Sequence, residues 1–329
     1  MGKEEKVVLS KEQQKLNKKK LGKRLGSISY KTLRAVILLG ICYYILYPLL
    51  AKVMMTLMER QDLYDLTVGL IPRHFTFDNI KLVFKFLDYP KSFLITLLLS
   101  VGVTIAQLIS CTLVGYGFAR FKFPLKGVIF ALVIFTLVVP PATIIIPQYL
   151  NFTFFNPFGI YKLITGGSTI TLVGTPWTFI LSSLTCMGFK NALYIYLIRQ
   201  YYRGVPKELE EAALIDGSGY FKTFYSVMLP SAKPILTVVA MFSVVWQWTD
   251  IFYTTWYMKG SNVLARMLDS LAASISSNGG TTTMVGMDTK YIMLVNSAGG
   301  LLVVLPLIIF YIFAQKQFVE GIERSGIVG

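Results

Sequence analysis

The sequence predicts an all-α, polytopic membrane protein with six transmembrane helices. Two compositional facts and one pattern carry this: 54% of the 329 residues are hydrophobic and only 15% are charged, the mean hydropathy is +0.59, and the apolar residues gather into six long runs. An ordinary soluble domain carries neither that balance nor those runs. Lipid gives the backbone no hydrogen-bond partner, so each run must close its own bonds as a helix; uninterrupted apolar stretches do not fit the ten-residue alternation of a barrel.

A helix crosses the hydrocarbon core in roughly 20 apolar residues. The predicted spans are 33–58, 92–118, 127–150, 176–200, 235–257 and 292–314. Before them lies a basic arm, residues 1–32, expected to be a cytoplasmic tail outside the permeation domain at 33–329. It is Lys-rich and poor in aromatics, a solvated topogenic segment with some affinity for anionic lipid. The first span is too long for a signal-peptide core and reads as uncleaved.

The cations orient the chain. With both termini inside, cytoplasmic segments hold 21 of the 32 Lys and Arg, and exterior segments hold nine. The positive-inside rule therefore places residues 203–233 in the cytoplasm. It also explains the net charge of +15 without nucleic acid.

The second span carries a polar stripe, Thr96, Ser100, Thr104, Gln107 and Cys111, and the fifth carries Ser243, Gln247, Asp250 and Thr254 at 4-3-4 spacing. Each stripe shares one helix face. Bonding between helices is the commoner use of Ser and Thr there; Gln107, Ser243, Gln247 and Asp250 are also candidates for a translocation path. Asp250, near the outer surface, suits either the path or a solute receptor. In the fourth span Lys190-Asn191 lies nine residues before Arg199, roughly 13 Å deeper. A lysine at that depth should face a watery cavity, pair with an acid such as Asp250, or mark a helix break. Contact with an acidic sugar is the function expected of it. Trp246 and Trp248 are candidates to stack on sugar rings or to anchor at the interface. Pro140-Pro141 in the third span and Pro306 in the sixth predict kinks or breaks. Exterior segments 59–91, 151–175 and 258–291 are long enough either to dock an extracytoplasmic binding protein or to form lids over the bundle, and Gly166-Gly167 and Gly279-Gly280 mark loops within them.

Cys42, Cys111 and Cys186 show no ligand spacing and read as packing residues inside helices; His74 is the one histidine. No metal site and no catalytic residue is predicted. A phosphate-binding G-x-x-x-x-G-K-[ST] loop is absent, so ATP hydrolysis is not expected of this chain.

The cytoplasmic insert is the most informative stretch. Pro206 suits a first helical turn, and Glu208, Glu210 and Glu211 complement its positive end. A helix over 206–215 follows. Gly217 supplies the positive-φ stop, Ser218 a cap for a second helix, and Leu229-Pro230 its end. Ala212 and Ala213 let a foreign surface approach closely, and Glu211 offers a charged anchor. That is a shape for docking.

Glu211-Ala212-Ala213, Asp216-Gly217 and Leu229-Pro230 resemble the EAA loop of ATP-binding-cassette importer permeases. Asp216-Gly217, with Phe224 and the flanking Leu197-Ile198-Arg199-Gln200-Tyr201-Tyr202 and Gln317-Phe318-Val319, is similar to the carbohydrate-uptake, maltose-type branch. Trp246-Gln247-Trp248-Thr249-Asp250 and Ser218 depart from that pattern. The resemblance covers residues 35–329 and implies the type I importer permease fold in a bacterial plasma or inner membrane. It also implies a second, homologous permease subunit, two ATPase subunits that use ATP and Mg, and an extracytoplasmic solute-binding protein. No cofactor is expected on this chain. A secondary transporter or channel independent of an ATPase is the alternative; a membrane enzyme has little support because no nucleophile, base or metal cluster converges.

Overall fold

In the computed structural model the structure describes residues 30–159, 166–167, 169–278 and 289–326. The basic arm to residue 29, Gly279-Gly280 and the side chains of Gln317, Phe318 and Val319 lie outside what it describes. Among the described residues there is no strand, only the isolated bridges Met58↔Phe75 and Phe155↔Ile170, so the all-α class is borne out.

The chain divides into two compact units at Thr76 and Phe77. The first holds α1 (Tyr30–Thr56), 27 residues and long enough to cross a bilayer. A 3-10 turn, Arg60–Leu63, follows. The loop beyond it is closed by Asp62, whose carboxylate accepts the backbone N–H groups of Arg73 and His74, both at 2.8 Å. The His74 ring Nδ1 meets the same carboxylate at 2.8 Å.

The second unit runs α2 (Asp78–Phe86), α3 (Tyr89–Arg120), α4 (Lys126–Val138), α5 (Pro141–Thr153), α6 (Trp177–Leu184), α7 (Asn191–Gly204), α8 (Glu208–Ile215), α9 (Tyr220–Ser231), α10 (Lys233–Thr249), α11 (Phe252–Tyr257), α12 (Leu264–Asp269), α13 (Leu271–Asn278) and α14 (Thr289–Gly326). Its centre is α3, which packs on α7, α10 and α6. One core cluster joins Cys111, Tyr116 and Phe118 of α3 to Tyr194, Ile195, Ile198 and Tyr202 of α7 and to Ile235, Val238 and Val239 of α10. Gly115 lets α3 and α7 approach: a Cβ there would lie 2.8 Å from the Ile198 Cγ2.

The helices differ from six straight spans. Only α1, α3 and α14 are unbroken and long enough to cross among the described residues, and the count reaches five when each bent pair is one span. The third predicted span is α4 and α5, bent by 102°. The cause is the one expected: Pro140 holds an extended residue (ψ 132°) between them, and Pro141 opens α5. The fourth is α6 and α7, separated by residues 185–190, where Cys186 and Lys190 take φ of 62° and 65°. Cys186 therefore lies in a break and not inside a helix, and it packs against the core cluster that contains Cys111. The fifth stops at Asp250, whose extended backbone (ψ 113°) starts the separate α11.

Pro306 neither ends nor interrupts α14. A proline has no N–H for the carbonyl four residues earlier. That carbonyl, of Leu302, instead accepts the Tyr89 hydroxyl of α3 at 3.0 Å, and the neighbouring Val303 carbonyl accepts the Trp248 indole N–H of α10 at 3.0 Å. Partners on other helices thus keep the bonding complete where lipid supplies none.

Candidate functional site: a coupling face and a central cavity

The insert between the fourth and fifth predicted spans folds as two helices, with α8 close to its predicted place. Pro206 precedes the N-cap residue Lys207 and does not form part of the first turn; Glu208, Glu210 and Glu211 do. The helix closes in a Schellman motif: Gly217, at φ 81°, donates its N–H to Leu214 O at 3.1 Å, and Ser218 donates its N–H to Ala213 O at 3.0 Å. Ser218 thus finishes α8 through its backbone and does not cap the next helix, which Gly219 precedes.

Leu229-Pro230 does not end α9. The chain widens at Phe224–Met228 into a π turn, where the Leu229 N–H reaches back to Phe224 O, and continues to Ser231 before a 72° bend into α10. Such a turn inside a helix accommodates one extra residue and recurs at functional positions. The Tyr201 hydroxyl donates to Ser231 O at 2.6 Å and the Tyr202 hydroxyl to Met228 O at 3.4 Å, so α7 holds the far end of the insert.

Two adjacent glutamates differ in environment, as the 100° rotation between successive helix positions allows. Glu211 and Ala212 are exposed. Glu210 is turned inward, 16% exposed at its side chain, and forms an ion pair of 2.9 Å with Arg120 Nε, itself 6% exposed. Arg120 Nη2 also donates to Val205 O at 2.7 Å. Around Glu211, Ile215 is 85% and Phe221 90% exposed, with Tyr220 and Tyr225 alongside. These exposed apolar side chains lie in the same helix pair as the exposed acids Glu211 and Asp216.

The candidate path residues separate into three groups. Gln107, Asn191 and Ser243 are buried and bonded to one another: Gln107 Nε2 donates to Asn191 Oδ1 at 2.7 Å, and Ser243 Oγ to Gln107 Oε1 at 2.5 Å. Thr104 shares a 2.8 Å hydrogen bond with Ser243. This network ties α3, α7 and α10 together.

A second group faces a cavity of about 270 Å³ whose walls include Gln148, Lys190, Asn191, Gln247, Tyr253 and Tyr257. The Gln247 side chain is 4% exposed at the residue level, and its Nε2 has no partner. Lys190 marks the helix break and lines the cavity, two of the three placements open to it. Its Nζ sits 5.0 Å from the ring centroids of Phe189 and of Trp246. No ion pair joins it to Asp250 among the described residues.

Asp250 instead accepts the backbone N–H groups of Tyr253 and Thr254, at 3.2 and 2.8 Å, and the Thr254 hydroxyl at 2.9 Å. It opens α11 as a capping carboxylate. Trp246 stacks against Phe242, with centroids 5.6 Å apart, and Trp248 is buried on α14, so neither tryptophan offers a free ring face of the kind sugar stacking needs.

Over residues 111–324 the chain matches the family of binding-protein-dependent transport system inner membrane components. This chain belongs to that family. It is a multi-pass permease, and the resemblance read from Glu211 to Pro230 is borne out at the level of family. Among curated relatives, the alpha-glucoside transport system permease protein AglG of Rhizobium meliloti is 28% identical over 78% of this chain and 62% of its own length. The arabinooligosaccharides permease AraQ of Bacillus subtilis is 25% identical over 86% and 91%. The maltodextrin permease MalD of Streptococcus pneumoniae is 26% identical over 94% and 98%. Among solved structures, a chain of a bacterial ABC transporter involved in importing the acidic polysaccharide alginate superposes with a TM-score of 0.64, over 88% of this permease and 96% of that chain. Identity there is 20%, so the likeness shows the fold.

Sequence reasoning left out Arg120 and Glu210. Glu210 stood among three glutamates counted toward the dipole, and Arg120 was one cation in a tally; a contact between positions 90 apart has no local signature. Gln148 and Tyr257, bonded across the cavity wall at 2.7 Å, were equally silent.

Proposed function

We propose that this permease is the membrane subunit of an ATP-driven, binding-protein-dependent importer of sugars or oligosaccharides, and that α8 and α9 couple a separate ATPase to alternating access. The observation that carries this is the insert itself. It is a helix pair closed by a Schellman turn, anchored on its inner side and presenting Glu211, Ala212, Ile215 and Phe221 outward. Two ATPase subunits using ATP and Mg, a second permease subunit and an extracytoplasmic solute-binding protein complete the assembly in this reading. ATP binding elsewhere supplies the differential contact energy that shifts inward-facing and outward-facing states. Glu211→Ala and Gly217→Pro are expected to abolish uptake while the chain still inserts into the membrane. Uptake at wild-type rates in both, or uptake driven by an ion gradient without ATP, contradicts the reading.

For the substrate we infer an acidic oligosaccharide. Lys190 is the charged side chain in a cavity wall whose other polar groups are neutral amides, hydroxyls, phenols and a thiol, and the structural neighbour belongs to a transporter involved in importing alginate. Lys190→Gln is expected to lower uptake of uronate oligosaccharides and spare neutral ones. Equal uptake of every acidic glycan in the variant removes this assignment.

A further inference from the structure

We propose that Arg120 is a positioning residue for coupling, joining α3, α7 and α8 into one body so that a push on α8 arrives at the cavity. The inference rests on the coupling reading above and extends it to a residue outside the EAA segment. Three helix ends meet at one guanidinium. Arg120 is in the last turn of α3; it binds Glu210, in the first turn of α8, through Nε, and Val205 O, the C-cap of α7, through Nη2. Each placement also matches a helix dipole: a cation at two carboxyl ends and a carboxylate at an amino end. The Glu210 contact is an ion pair without hydrogen-bond alignment, and Nη2 makes the hydrogen bond to Val205 O, so the guanidinium holds the two helices by charge on one side and by donation on the other.

Burial makes the joint stiff. With Arg120 and Glu210 6% and 16% exposed, sliding α8 away from α3 strands two charges out of water, which is strongly unfavourable. The Tyr116 ring, one turn before Arg120 on α3, packs on Phe224 of the π turn with centroids 4.8 Å apart. From Arg120 the continuous α3 runs about 20 Å to Gln107, where the Gln107–Asn191–Ser243 network grips the helices that line the cavity. Glu211 thus engages the motor, and its neighbour Glu210 engages the bundle.

The test uses the whole importer, purified with its own partner subunits and reconstituted in liposomes, with the three native cysteines replaced by alanine. Met187, which lines the cavity and is open to solvent, is changed to cysteine. Its labelling by a membrane-impermeant maleimide added from outside is measured with and without ATP–Mg. The probe is the maleimide, so no substrate need be known. In the chain with Arg120 intact, nucleotide changes the labelling rate.

With Arg120→Gln or Glu210→Gln that change is expected to shrink by about 5- to 150-fold, the usual span of coupling between two sites. The ATPases should still co-purify and hydrolyse ATP, and Arg120→Lys should retain part of the response. The double variant Arg120→Gln/Glu210→Gln leaves no stranded charge, so it should assemble normally and still fail to respond. A purely structural role predicts the reverse: assembled double variant with an unchanged response, which overturns the proposal even if each single variant is lost to misfolding. If the chain with Arg120 intact ignores nucleotide, the coupling reading itself fails.

Discussion

At residue scale, Gly217 shows how a single φ angle closes α8 and sets the turn into α9. Space around it is open, with nothing within 4 Å of an added Cβ, so its requirement is conformational alone. Alanine there costs about 1 kcal/mol of left-handed strain, and Gly217→Ala should keep reduced uptake. Gly217→Pro, which fixes φ near −65° and deletes the bond to Leu214, should lose it altogether. Comparing the two uptake rates at equal membrane abundance checks this; equal rates would show that the Schellman turn is dispensable.

Asp62 and His74 give a pH dependence with a definite sign. The ring bond to Asp62 raises the His74 pKa above its ordinary 6.5, and the His74 backbone N–H, then its ring, lower Asp62 below 3.8. The histidine's contribution is complete below pH 6.5 and is lost as pH rises through the raised value. The aspartate's contribution is present above pH 3.8 and is lost as pH falls through the lowered one. The loop over 59–76 is therefore tightest between those limits. Amide-exchange protection there, corrected for intrinsic rates, should be higher at pH 6 than at pH 8.5, and His74→Gln should erase the difference. Equal protection at both values contradicts the pairing.

Glu211, Ala212, Ala213 and Gly217 were legible because their chemistry is local: a charge, two missing side chains and a permissive backbone. Glu210 was not separable from Glu211, since facing depends on what packs behind α8. Lys190 was read correctly as anomalous, yet its left-handed backbone has no sequence mark, because residues other than glycine adopt it only when their surroundings impose it.

At element scale, helix breaks were most legible where proline causes them. Pro140 announced the 102° bend between α4 and α5; the gap between α6 and α7 was signalled only by the misplaced charge of Lys190, for which a break was one of three readings. Pro306 announced a kink that does not break α14, because the outcome depends on Tyr89, more than 200 residues away. Tyr89→Phe strands the Leu302 carbonyl and should destabilise the purified protein by about 1–3 kcal/mol. Thermal unfolding in detergent measures it, and an unchanged midpoint would mean that the carbonyl has another donor. The α3–α7 crossing offers a second test. Gly115→Leu drives atoms into Ile198 and should cost about 1–3 kcal/mol by overpacking, whereas Gly300→Ala, with open space around its Cβ, should be nearly silent. A loss in both variants alike would remove close packing as the reason for Gly115.

At the scale of the whole molecule, composition made the helical membrane class legible, and cation placement gave an expected orientation. They did so because bilayer thickness and surface charge act on averages over many residues. Partners are less legible. Ile215, Tyr220, Phe221 and Tyr225 are exposed, yet exposure alone does not name what covers them. Substrate is least legible, since it depends on a few side chains around one cavity.

The central claim is that α8 and α9 are gripped by an ATPase from the cytoplasm. A photoreactive residue placed at Phe221, activated in intact cells and followed by mass spectrometry of the adduct, tests it directly. The expected adduct is an ATP-binding-cassette ATPase subunit, formed less when Glu211 is changed to alanine. Adducts confined to lipid, or labelling of position 221 by an impermeant reagent from outside the cell, would contradict it.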